Sequence, residues 1–349
     1  MTRLTLAVIF GGHSSEYGIS LQSAGAVIRA IDKNKYDVVM LGIDPSGAWF
    51  RFIGDVNRIA ADAWREDAYC KKAFIIPDRE RHGMLEIDDN IPLFTRIDAA
   101  FPVLHGKNGE DGTIQGLLEL AGIPVVGCKT LSSALCMDKD KAHKLVCLAG
   151  VRVPRSFVLE NETDAELTLT RAESLGYPLF VKPVKAGSSF GITKVTHPKE
   201  LPAAFKLAFQ HDNKVLVEES IPGFEVGCAV LGNDNPVVGE PDEIELAGGF
   251  SDHREKYAPE TSATHVPARI STEKAEEIKQ TAVIIYKALD CSGFARVDMF
   301  LTPSGEIVFN EVNTIPGFTA HSRYSGMMRA AGMTFEQIVS AAIDLAVSA

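Results

Sequence analysis

The chain has 349 residues, 46% of them hydrophobic, so it is long enough for two or three units with buried cores. Its formal net charge of -11 argues against nucleic acid or an anionic membrane as a main partner. A phosphate ligand is not excluded, because it responds to local Lys, Arg and backbone N–H groups. Six cysteines lie far apart with no CxxC pair, which is typical of a reducing cytosol.

The first 126 residues alternate predicted strands and helices. The apolar run at residues 4–10 is too short to span a membrane and leads into two glycines, so we predict a strand rather than a signal peptide. A helix over residues 20–31, a strand at Tyr36–Ile43, an irregular stretch at 47–72 and a strand at 98–105 follow. Thr113 is the predicted N-cap of the next helix. This alternation predicts a doubly wound parallel sheet.

Two polar residues of this unit occupy places where such sheets bind ligands. Glu16 follows the first strand and either receives an ammonium group or caps the helix, and capping is the simpler local role. His105 ends a strand and is either a ligand-binding group or a structural hydrogen-bonding residue.

A loop in the middle of the chain is suited to phosphate. After a predicted helix at 132–150, a helix at 164–175 and a strand at 177–181, Lys182 precedes a loop with Gly187, Ser188 and Ser189. Their backbone N–H groups and hydroxyls can fold over a polyphosphate, and a plain flexible turn is the alternative. The Lys precedes the glycines, so this is not a Walker A loop.

Acidic residues and a long irregular segment follow. Glu218 and Glu225 border a turn between strands predicted at 215–219 and 224–231, where they either bind ribose hydroxyls or are solvated. Residues 247–267 show little periodicity, and segments of this length are usually functional lids or disordered. A helix at 272–289 and a final helix opened by a Thr334–Gln337 capping box complete the helical predictions.

Residues 294–323 are the most informative stretch. The turn TPSG lies between two runs rich in β-branched and aromatic residues, which predicts a β-hairpin. If Thr302 pairs with Gly305, Arg296 faces Glu311 across the ladder and Asp298 faces Phe309.

That register predicts a polar face. Arg296, Asp298, Glu311 and Asn313 would share one side of the hairpin because side chains alternate with period 2. Carboxylate and amide oxygens suit Mg²⁺, which keeps part of its coordination for water and substrate phosphates. Asp298 interrupts an apolar run, where an unpaired charge is costly, and a metal would remove that cost. The alternative is a hairpin with one solvated face.

Motifs spanning nearly the whole chain resemble one family. In order they are GGHSSE, FPVLHGKNGEDGTIQG, MDK, VKPVKAGSSFGITKV, EKY, ARVDMF and NEVNTIPGFTAHSR. Together they resemble the D-alanine:D-alanine ligases of the ATP-grasp superfamily. The stretches FPVLHGKNGEDG, NEVNTIPGFT and HSRY are most similar to the vancomycin-resistance ligases, above all the G-type D-alanine:D-serine ligases.

The resemblance implies an α/β ATP-grasp fold with three domains. Residues 1–127 would form the N-terminal preATP-grasp domain with its doubly wound parallel sheet. Residues 128–219 would form the central lobe with the phosphate loop. Residues 220–349 would form the C-terminal lobe, with an omega loop at about 247–267 and the Mg²⁺-binding hairpin.

The implied reaction joins two substrates at the expense of ATP. The carboxylate of D-alanine attacks the γ-phosphate of ATP, and the amine of a second substrate then attacks the resulting acyl phosphate. The resemblance implies two Mg²⁺ ions, or Mn²⁺ in their place, held by Asp298, Glu311 and Asn313. The dipeptide would serve peptidoglycan precursor synthesis and vancomycin resistance, in a cytosolic homodimer with no nucleic-acid or membrane partner.

The resemblance also implies roles for individual residues. Glu16 and His105 would bind the first D-alanine, Arg296 and the Gly317 N–H would stabilise the oxyanion, and Ser322 would bind the second substrate's carboxylate. Lys256 and Tyr257 of the omega loop would close the site, with Tyr257 reaching Ser188 and Glu16. The implied nucleotide-contacting residues are Lys139, Lys182, Gly187, Ser188, Ser189, Glu218, Ile221, Glu225 and Phe300.

Two residues bear on the second substrate. Arg323 and Asp242 resemble the pattern of the D-serine ligases, where a charged pair can hydrogen-bond a hydroxymethyl group and leaves an unsatisfied polar site against a methyl group. Such a difference is worth ~1 to 3 kcal/mol. Alternatively Arg323 only holds its loop, and the chain is a D-alanine:D-alanine ligase. A D-lactate ligase, another ATP-grasp enzyme and a non-catalytic nucleotide-binding module are further alternatives, although the last would be expected to have lost Asp298, Glu311 or Lys182.

Overall fold

The computed structural model describes residues 3–88, 91–160, 165–187, 190–246 and 262–348. They form three β-sheets with helices packed against them. Four of the predicted site residues, Ser188, Ser189, Lys256 and Tyr257, lie outside the described residues, as do residues 247–261 of the predicted omega loop. The end of that segment is not irregular, because Ser262–His265 forms a strand.

The N-terminal unit is built on a seven-stranded sheet with the order β6-β5-β4-β3-β2-β1-β7. Its elements are β1 Leu4–Gly11, α1 Tyr17–Ala30, β2 Tyr36–Ile43, β3 Trp49–Phe52, α2 Asn57–Ala60, β4 Cys70–Ile76, β5 Gly83–Asp88, β6 Ile91–Arg96, β7 Ala99–Val103 and α3 Thr113–Leu120. The predicted limits of β2 are confirmed. The N-cap of α3 is Gly112 rather than Thr113, and it has the left-handed φ of 91°.

Only part of this sheet is parallel. β1 pairs in parallel with β2 and with β7, whereas β2 to β6 pair antiparallel in sequence order. The prediction of an irregular stretch at 47–72 was therefore wrong at β3 and at the start of β4. Both are short and end in turns, so neither shows a long alternating pattern. The parallel strands place the loops after β1 and β7 at one edge of the sheet, where ligands of such sheets bind.

The middle unit follows two consecutive helices. Its elements are α4 Thr130–Met137, α5 Lys139–Leu148, β8 Ser156–Glu160, α6 Ala165–Leu175, β9 Leu179–Pro183, β10 Thr193–Val195, α7 Leu201–Ala208 and β11 Lys214–Glu219. The strands form an antiparallel sheet in the order β10-β9-β11-β8. The single helix predicted over 132–150 is in fact two. Asp138 is extended, with φ -89° and ψ 97°, and its carboxylate accepts the Lys141 N–H at 3.1 Å as the N-cap of α5.

The C-terminal unit contains a six-stranded antiparallel sheet. Its elements are β12 Phe224–Leu231, β13 Val237–Val238, β14 Asp242–Leu246, β15 Ser262–His265, α8 Thr272–Ala288, β16 Phe294–Leu301, β17 Ile307–Asn313, α9 Arg323–Ala330 and α10 Phe335–Val347. The order is β15-β14-β12-β16-β17, with β13 paired to β12. The limits of β12 and the Thr334–Gln337 capping box agree with the prediction.

The β16–β17 hairpin contains an irregularity that shifts its register. Leu301 pairs with Ile307, but beyond Met299 the ladder moves by one residue, so that Asp298 lies opposite Glu311 and Arg296 opposite Asn313. The predicted pairs Arg296–Glu311 and Asp298–Phe309 were therefore wrong. The prediction that these residues share one face of the hairpin still holds, because the extra residue in β17 places Glu311 and Asn313 on the same side as Asp298.

One apolar core joins the N-terminal sheet to the last two helices. It combines side chains of β1, α1 and β7 with side chains of α9 and α10. Phe101, Phe294, Phe318 and Tyr324 meet at its centre, with contacting ring centroids 5.0 to 5.8 Å apart. The middle unit has its own core between its sheet, α6 and α7. The N-terminal and C-terminal units thus share an interior.

Among the described residues, no single helix is long and apolar enough to cross a membrane. One pair, α9 and α10, meets the length and composition criteria together, but the two helices are bent by 101° at their junction. Both helices bury apolar side chains in the shared core.

Candidate active site

Four neighbouring strands place a row of residues side by side on the C-terminal sheet. Asp242 of β14 pairs with Gly227 of β12, Gly227 pairs with Asp298 of β16, and Asp298 pairs with Glu311 of β17. Asp242 and Asp298 are fully buried. Gly227 leaves room between the carboxylates, because a Cβ there would lie 2.5 Å from Asp242 Oδ1 and 2.6 Å from Arg323 Nη2.

Arg323 fills that room from the first turn of α9. Its Nε and Nη2 donate to the two oxygens of Asp242 at 2.7 and 2.9 Å, and its Nη1 donates to Glu225 Oε1 at 3.1 Å. Nη2 also lies 3.4 Å from Asp298 Oδ1. Burial opposes the charged form of Asp242, but the Arg323 guanidinium holds the pKa of that carboxyl below its usual range. The predicted charged pair is therefore present in bidentate geometry, which is the strong form of such a pair.

Asp298 is not an unpaired charge. Arg296 Nε donates to Asp298 Oδ1 and Oδ2 at 2.9 and 3.0 Å, and its Nη2 donates to Oδ2 at 2.7 Å. With Arg323 on the other side, two guanidiniums neutralise this carboxylate. The sequence argument treated Asp298 as an unpaired charge whose burial a metal would offset, but these two guanidiniums already pair with it. The same contacts place the predicted oxyanion-binding Arg296 beside the predicted metal ligand.

The donor set still fits Mg²⁺. Asp298 and Glu311 face each other across the hairpin, and Asn313 lies on the same side opposite Arg296. These residues would offer two carboxylates and an amide, which are hard oxygen donors that leave positions for water and phosphate oxygens. Within the described ranges no three His, Cys, Asp or Glu side chains are grouped to hold a metal. The amide of Asn313 would therefore have to complete the set.

Two buried lysines line the space between the middle and C-terminal sheets. Lys139, the first residue of α5, donates to the Ala186 carbonyl at 2.7 Å and lies 3.7 Å from Glu311. Lys182, at the end of β9, lies 2.5 Å from Glu218 Oε1. Both are cations, which attract a polyanion, and Lys139 lies beside Glu311, one of the predicted metal ligands.

Acidic and glycine residues of the N-terminal unit face this space. Gly106 has φ 74°, and its N–H donates to Glu110 Oε2 at 2.7 Å. A Cβ on Gly187 would lie 3.4 Å from Glu16 Oε2 and 4.0 Å from Glu110 Oε2. Gly187, the first glycine of the predicted phosphate loop, therefore lies close to Glu16. Burial and the nearby Glu16 carboxylate raise the pKa of Glu110 well above its usual range.

His105 connects the N-terminal unit to the loop after the hairpin. Its Nε2 lies 3.3 Å from Ser23 Oγ, which also accepts the Phe318 N–H at 3.3 Å. Burial lowers the pKa of His105 to about 4. The hydrogen bond with the Ile315 main chain raises this pKa, and the Arg296 charge lowers it further. The ring is therefore neutral at pH 7, and its contact with Ser23 is the structural role that the sequence left open.

The remaining predicted residues surround the row. Ser322 is the N-cap residue of α9, and a Cβ on Gly317 would lie 3.2 Å from its Oγ. That oxygen accepts the Thr319 N–H at 3.1 Å. Phe300 pairs with Glu225 on the sheet, and Ile221 lies in the turn before β12, half-buried.

Three residues of the site were missed by sequence reasoning. Gly227 has no local signal, because its role depends on strands far apart in sequence. Glu110 lies within the quoted HGKNGEDG motif, and its spacing from His105 could have singled it out. His143 lies one helical turn after Lys139 and therefore on the same face of α5, which was a usable signal.

Comparisons with known proteins agree along the whole chain. The family model described as D-ala D-ala ligase N-terminus matches residues 5–128, and the model described as D-ala D-ala ligase C-terminus matches residues 145–344. A D-alanine–D-alanine ligase of Caldicellulosiruptor bescii is 44% identical, with 99% of this chain and 96% of that protein covered. The vancomycin B-type resistance protein VanB of Enterococcus faecalis is also 44% identical, with 99% of each chain covered.

Solved structures show the same fold. The crystal structure of the VanG D-Ala:D-Ser ligase from Enterococcus faecalis superimposes with a TM-score of 0.92, 55% sequence identity and 99% of each chain covered. The D-alanine-D-alanine ligase from Coxiella burnetii superimposes with a TM-score of 0.86 and 32% identity, covering 100% of this chain and 95% of that one.

Proposed function

The chain belongs to the D-alanine–D-alanine ligase family, whose members are ATP-dependent ligases of the ATP-grasp fold, and from this we propose that it joins D-alanine to D-serine. The single observation that carries the choice of D-serine is the bidentate Arg323–Asp242 pair beside Asp298. The likeness to a D-Ala:D-Ser ligase at 55% identity supports it.

The proposed reaction has two steps. A carboxylate oxygen of D-alanine attacks the γ-phosphorus of ATP, which releases ADP and leaves D-alanyl phosphate. The amine of the second substrate then attacks the carbonyl carbon, phosphate leaves, and the nitrogen gives up its extra proton. Activation is needed because a free carboxylate is a poor electrophile. Glu16 would bind the first ammonium group and Ser322 the second carboxylate.

Residues in and around the row would stabilise the charge that develops in both steps. Arg296 and the Gly317 N–H would stabilise the oxyanion of the tetrahedral intermediate, as donors placed in advance of the reaction. Lys139 and Lys182 would hold the phosphates, and Gly187, Ser188 and Ser189 would cover them. Asp298, Glu311 and Asn313 would hold Mg²⁺, which when bound neutralises charge on the transferred phosphoryl group.

Nucleotide binding and closure complete the proposal. Glu218, Ile221, Glu225 and Phe300 would line the adenosine pocket. Lys256 and Tyr257 would belong to an omega loop at about 247–267 that excludes water, because water would hydrolyse the acyl phosphate. The three domains would be residues 1–127, 128–219 and 220–349. We further propose a cytoplasmic homodimer that supplies peptidoglycan precursors and contributes to vancomycin resistance.

A second candidate, D-alanine:D-alanine ligase, is favoured by one observation. Arg323 binds Asp242 and Glu225 and lies near Asp298, so it can serve simply to neutralise buried carboxylates. In that case it would not select the second substrate.

The test is ATP-dependent phosphate release with D-alanine alone and with D-serine or D-lactate added, with products identified by mass spectrometry. An excess of D-alanyl-D-serine supports the proposal, and D-alanyl-D-alanine in every mixture supports the second candidate. D-alanyl-D-lactate would contradict both candidates. If no mixture yields dipeptide or depsipeptide, the ligase assignment itself is wrong for this chain.

A further inference from the structure

A buried serine of the N-terminal unit reaches the loop that follows the hairpin. Ser23 lies on α1, and its side chain is almost completely buried. Its Oγ accepts the Phe318 N–H at 3.3 Å and lies 3.3 Å from His105 Nε2. One hydroxyl therefore joins α1 to the loop after β7 and to the loop after β17, which is nearly 300 residues away in sequence.

The hydrogen bonds of Ser23 have a definite direction. A hydroxyl oxygen that accepts an N–H still has its own proton to donate. The buried His105 ring is neutral at pH 7, so it has one donor and one acceptor nitrogen. The hydrogen bond with the Ile315 main chain raises the pKa of His105, so a ring N–H donates in that bond. The other nitrogen, Nε2, therefore accepts the Ser23 hydroxyl proton.

These two groups hold the loop after the hairpin on both sides of Gly317. Before it, the Ile315 main chain bonds the imidazole, and after it, the Phe318 N–H donates to the serine. Pro316 has no N–H, because its nitrogen is part of the ring. Among the residues that the structure describes, none accepts a hydrogen bond from the Gly317 N–H. The N–H between the two anchors is therefore available to a ligand.

The direction of the Gly317 N–H depends on these anchors. Glycine lacks a Cβ and has a wider choice of φ and ψ than other residues, so its neighbours must fix its conformation. The Phe318 ring packs against other aromatic rings, which holds its side chain. The bond to Ser23 holds the peptide plane between Gly317 and Phe318. An oxyanion donor is effective only when it is aimed before the reaction, because its reorientation would otherwise add to the barrier.

We propose that Ser23 is a positioning residue for the second step of the reaction. Through the Phe318 N–H it keeps the Gly317 N–H directed at the oxyanion of the tetrahedral intermediate, and His105 holds the Ser23 hydroxyl in place. This inference rests on the proposed function, since it requires that the Gly317 N–H binds that oxyanion. It applies equally to D-serine and D-alanine as the second substrate, because both amines form a tetrahedral intermediate. Ser23 itself touches no substrate.

The experiment follows the two steps separately in the variant Ser23→Ala of the full chain. A single turnover with Mg-ATP, D-alanine and the second substrate is quenched at intervals, and ADP and dipeptide are measured in each sample. ADP reports the first step and should form at a rate within about twofold of the unaltered chain. Dipeptide should form about tenfold more slowly, which corresponds to about one hydrogen bond. The loss is smaller than the about hundredfold or more for a removed oxyanion donor, because the Gly317 N–H is misdirected but still present.

Steady-state kinetics distinguish positioning from substrate binding. In Ser23→Ala we expect kcat to fall, while the KM of the second substrate stays within about twofold, because the proposed carboxylate-binding residue, Ser322, does not bond Ser23. Ser23→Cys fills the space of the hydroxyl with a weaker hydrogen-bonding group. It should show a delay between ADP and dipeptide as well, and it provides the measurement should the Ala variant not fold.

Ser20→Ala is the matched control. Ser20 is also a buried serine of α1 with two hydrogen bonds, since its Oγ accepts the Gly11 N–H at 2.8 Å and donates to the Val103 carbonyl. The two Ala variants should lose similar amounts of thermal stability. The delay between ADP and dipeptide should lengthen only in Ser23→Ala, because Ser20 does not bond the loop after the hairpin.

The outcomes separate this inference from the proposed function. The same delay in Ser23→Ala as in the unaltered chain overturns the inference alone. An equal lengthening in Ser20→Ala also overturns it, because the effect would then come from a general loosening of α1. Failure of the unaltered chain to form any dipeptide overturns the proposed function and the inference with it.

Discussion

Single residues decide how the buried charges of the candidate site are arranged. Asp242, Asp298 and Glu225 are three carboxylates around one guanidinium, and Arg296 supplies the second cation. Buried charges of this kind persist only when paired and hydrogen-bonded, because desolvation is otherwise too costly. The sequence predicted the Asp242–Arg323 pair through its resemblance to the D-serine ligases. It could not predict Gly227, whose lack of a side chain matters only once β14, β12 and β16 lie side by side.

Gly227→Ala tests that arrangement. The new methyl group would lie 2.5 Å from Asp242 Oδ1 and 2.6 Å from Arg323 Nη2, so one of the two must move. We expect the free energy of unfolding to fall by about 1–3 kcal/mol and the yield of D-alanyl-D-serine to fall with it. The matched control is Gly326→Ala in α9, where the new methyl group would lie 3.9 Å from Val266 Cγ2, an ordinary van der Waals contact. Similar losses in both variants would contradict the prediction. Urea unfolding and product analysis provide the measurements.

His105 predicts a dependence of stability on pH. Burial lowers its pKa to about 4, whereas an unfolded histidine has a pKa of about 6.5. Between these values the unfolded chain binds more protons, so the stability from the neutral ring is complete above about pH 6.5 and is lost as the pH falls towards 4. The loss at pH 5 should be about 2 kcal/mol.

Unfolding by urea at pH 7 and pH 5 measures this loss. His105→Gln should show a smaller difference between the two pH values than the unaltered chain, because it has no imidazole to protonate. The same substitution at exposed His321 is the control and should leave the difference unchanged. Equal pH dependence in the unaltered chain and His105→Gln would show that His105 is not the residue responsible.

At the scale of elements, limits and types were easier to predict than register. β2 and β12 were predicted to the residue, since each is a mostly apolar run with a single acidic residue near its start, bounded by turn residues. The hairpin register was not, because an extra residue in the middle of β17 leaves no mark on a period-2 pattern. The break between α4 and α5 was also missed. Asp138 could have indicated this break from the sequence, because Asp is a favoured N-cap residue and it directly precedes Lys139.

Asp138→Ala tests the contribution of that break. The variant loses the bond from the Lys141 N–H to the Asp138 carboxylate at 3.1 Å, and we expect it to cost about 1 kcal/mol of stability. Because α5 begins with Lys139, which we propose to bind phosphate, ATP affinity should fall as well. Asp138→Ser keeps an N-cap oxygen and should retain most of both quantities. If Ser and Ala variants lose equally, capping is not the role of Asp138.

At the scale of the whole molecule, sequence patterns predicted three units and did not indicate that the two ends of the chain share an interior. The three-unit interpretation rested on the alternation of strands and on the resemblance. Neither indicates that Phe101 of the N-terminal sheet packs against Phe294, Phe318 and Tyr324 from the end of the chain. Contacts over such separations depend on tertiary packing, which local patterns do not encode. The middle unit, by contrast, buries its own apolar residues.

Phe318→Ala should reveal the shared core. Its side chain is almost completely buried among four aromatic rings, so removal should lower the free energy of unfolding by about 3–5 kcal/mol. Leu148→Ala, at a position that is 85% exposed, is the control and should change it by less than about 0.5 kcal/mol. Hydrogen exchange should show reduced protection in β1 and β7 as well as in α9 and α10. Loss confined to the two helices would contradict a common core.

The shared interior predicts how the protein would behave if it were divided into two fragments. The hydroxyl of Tyr36 in β2 bonds Asp344 of α10 at 3.0 Å, across nearly the full length of the chain. A polypeptide ending near residue 128 would expose the apolar surface that α9 and α10 now cover, and one starting there would leave α10 without α1 and β7, on which it packs. Neither fragment would have a complete interior, so each should be unstable when it is produced without the other.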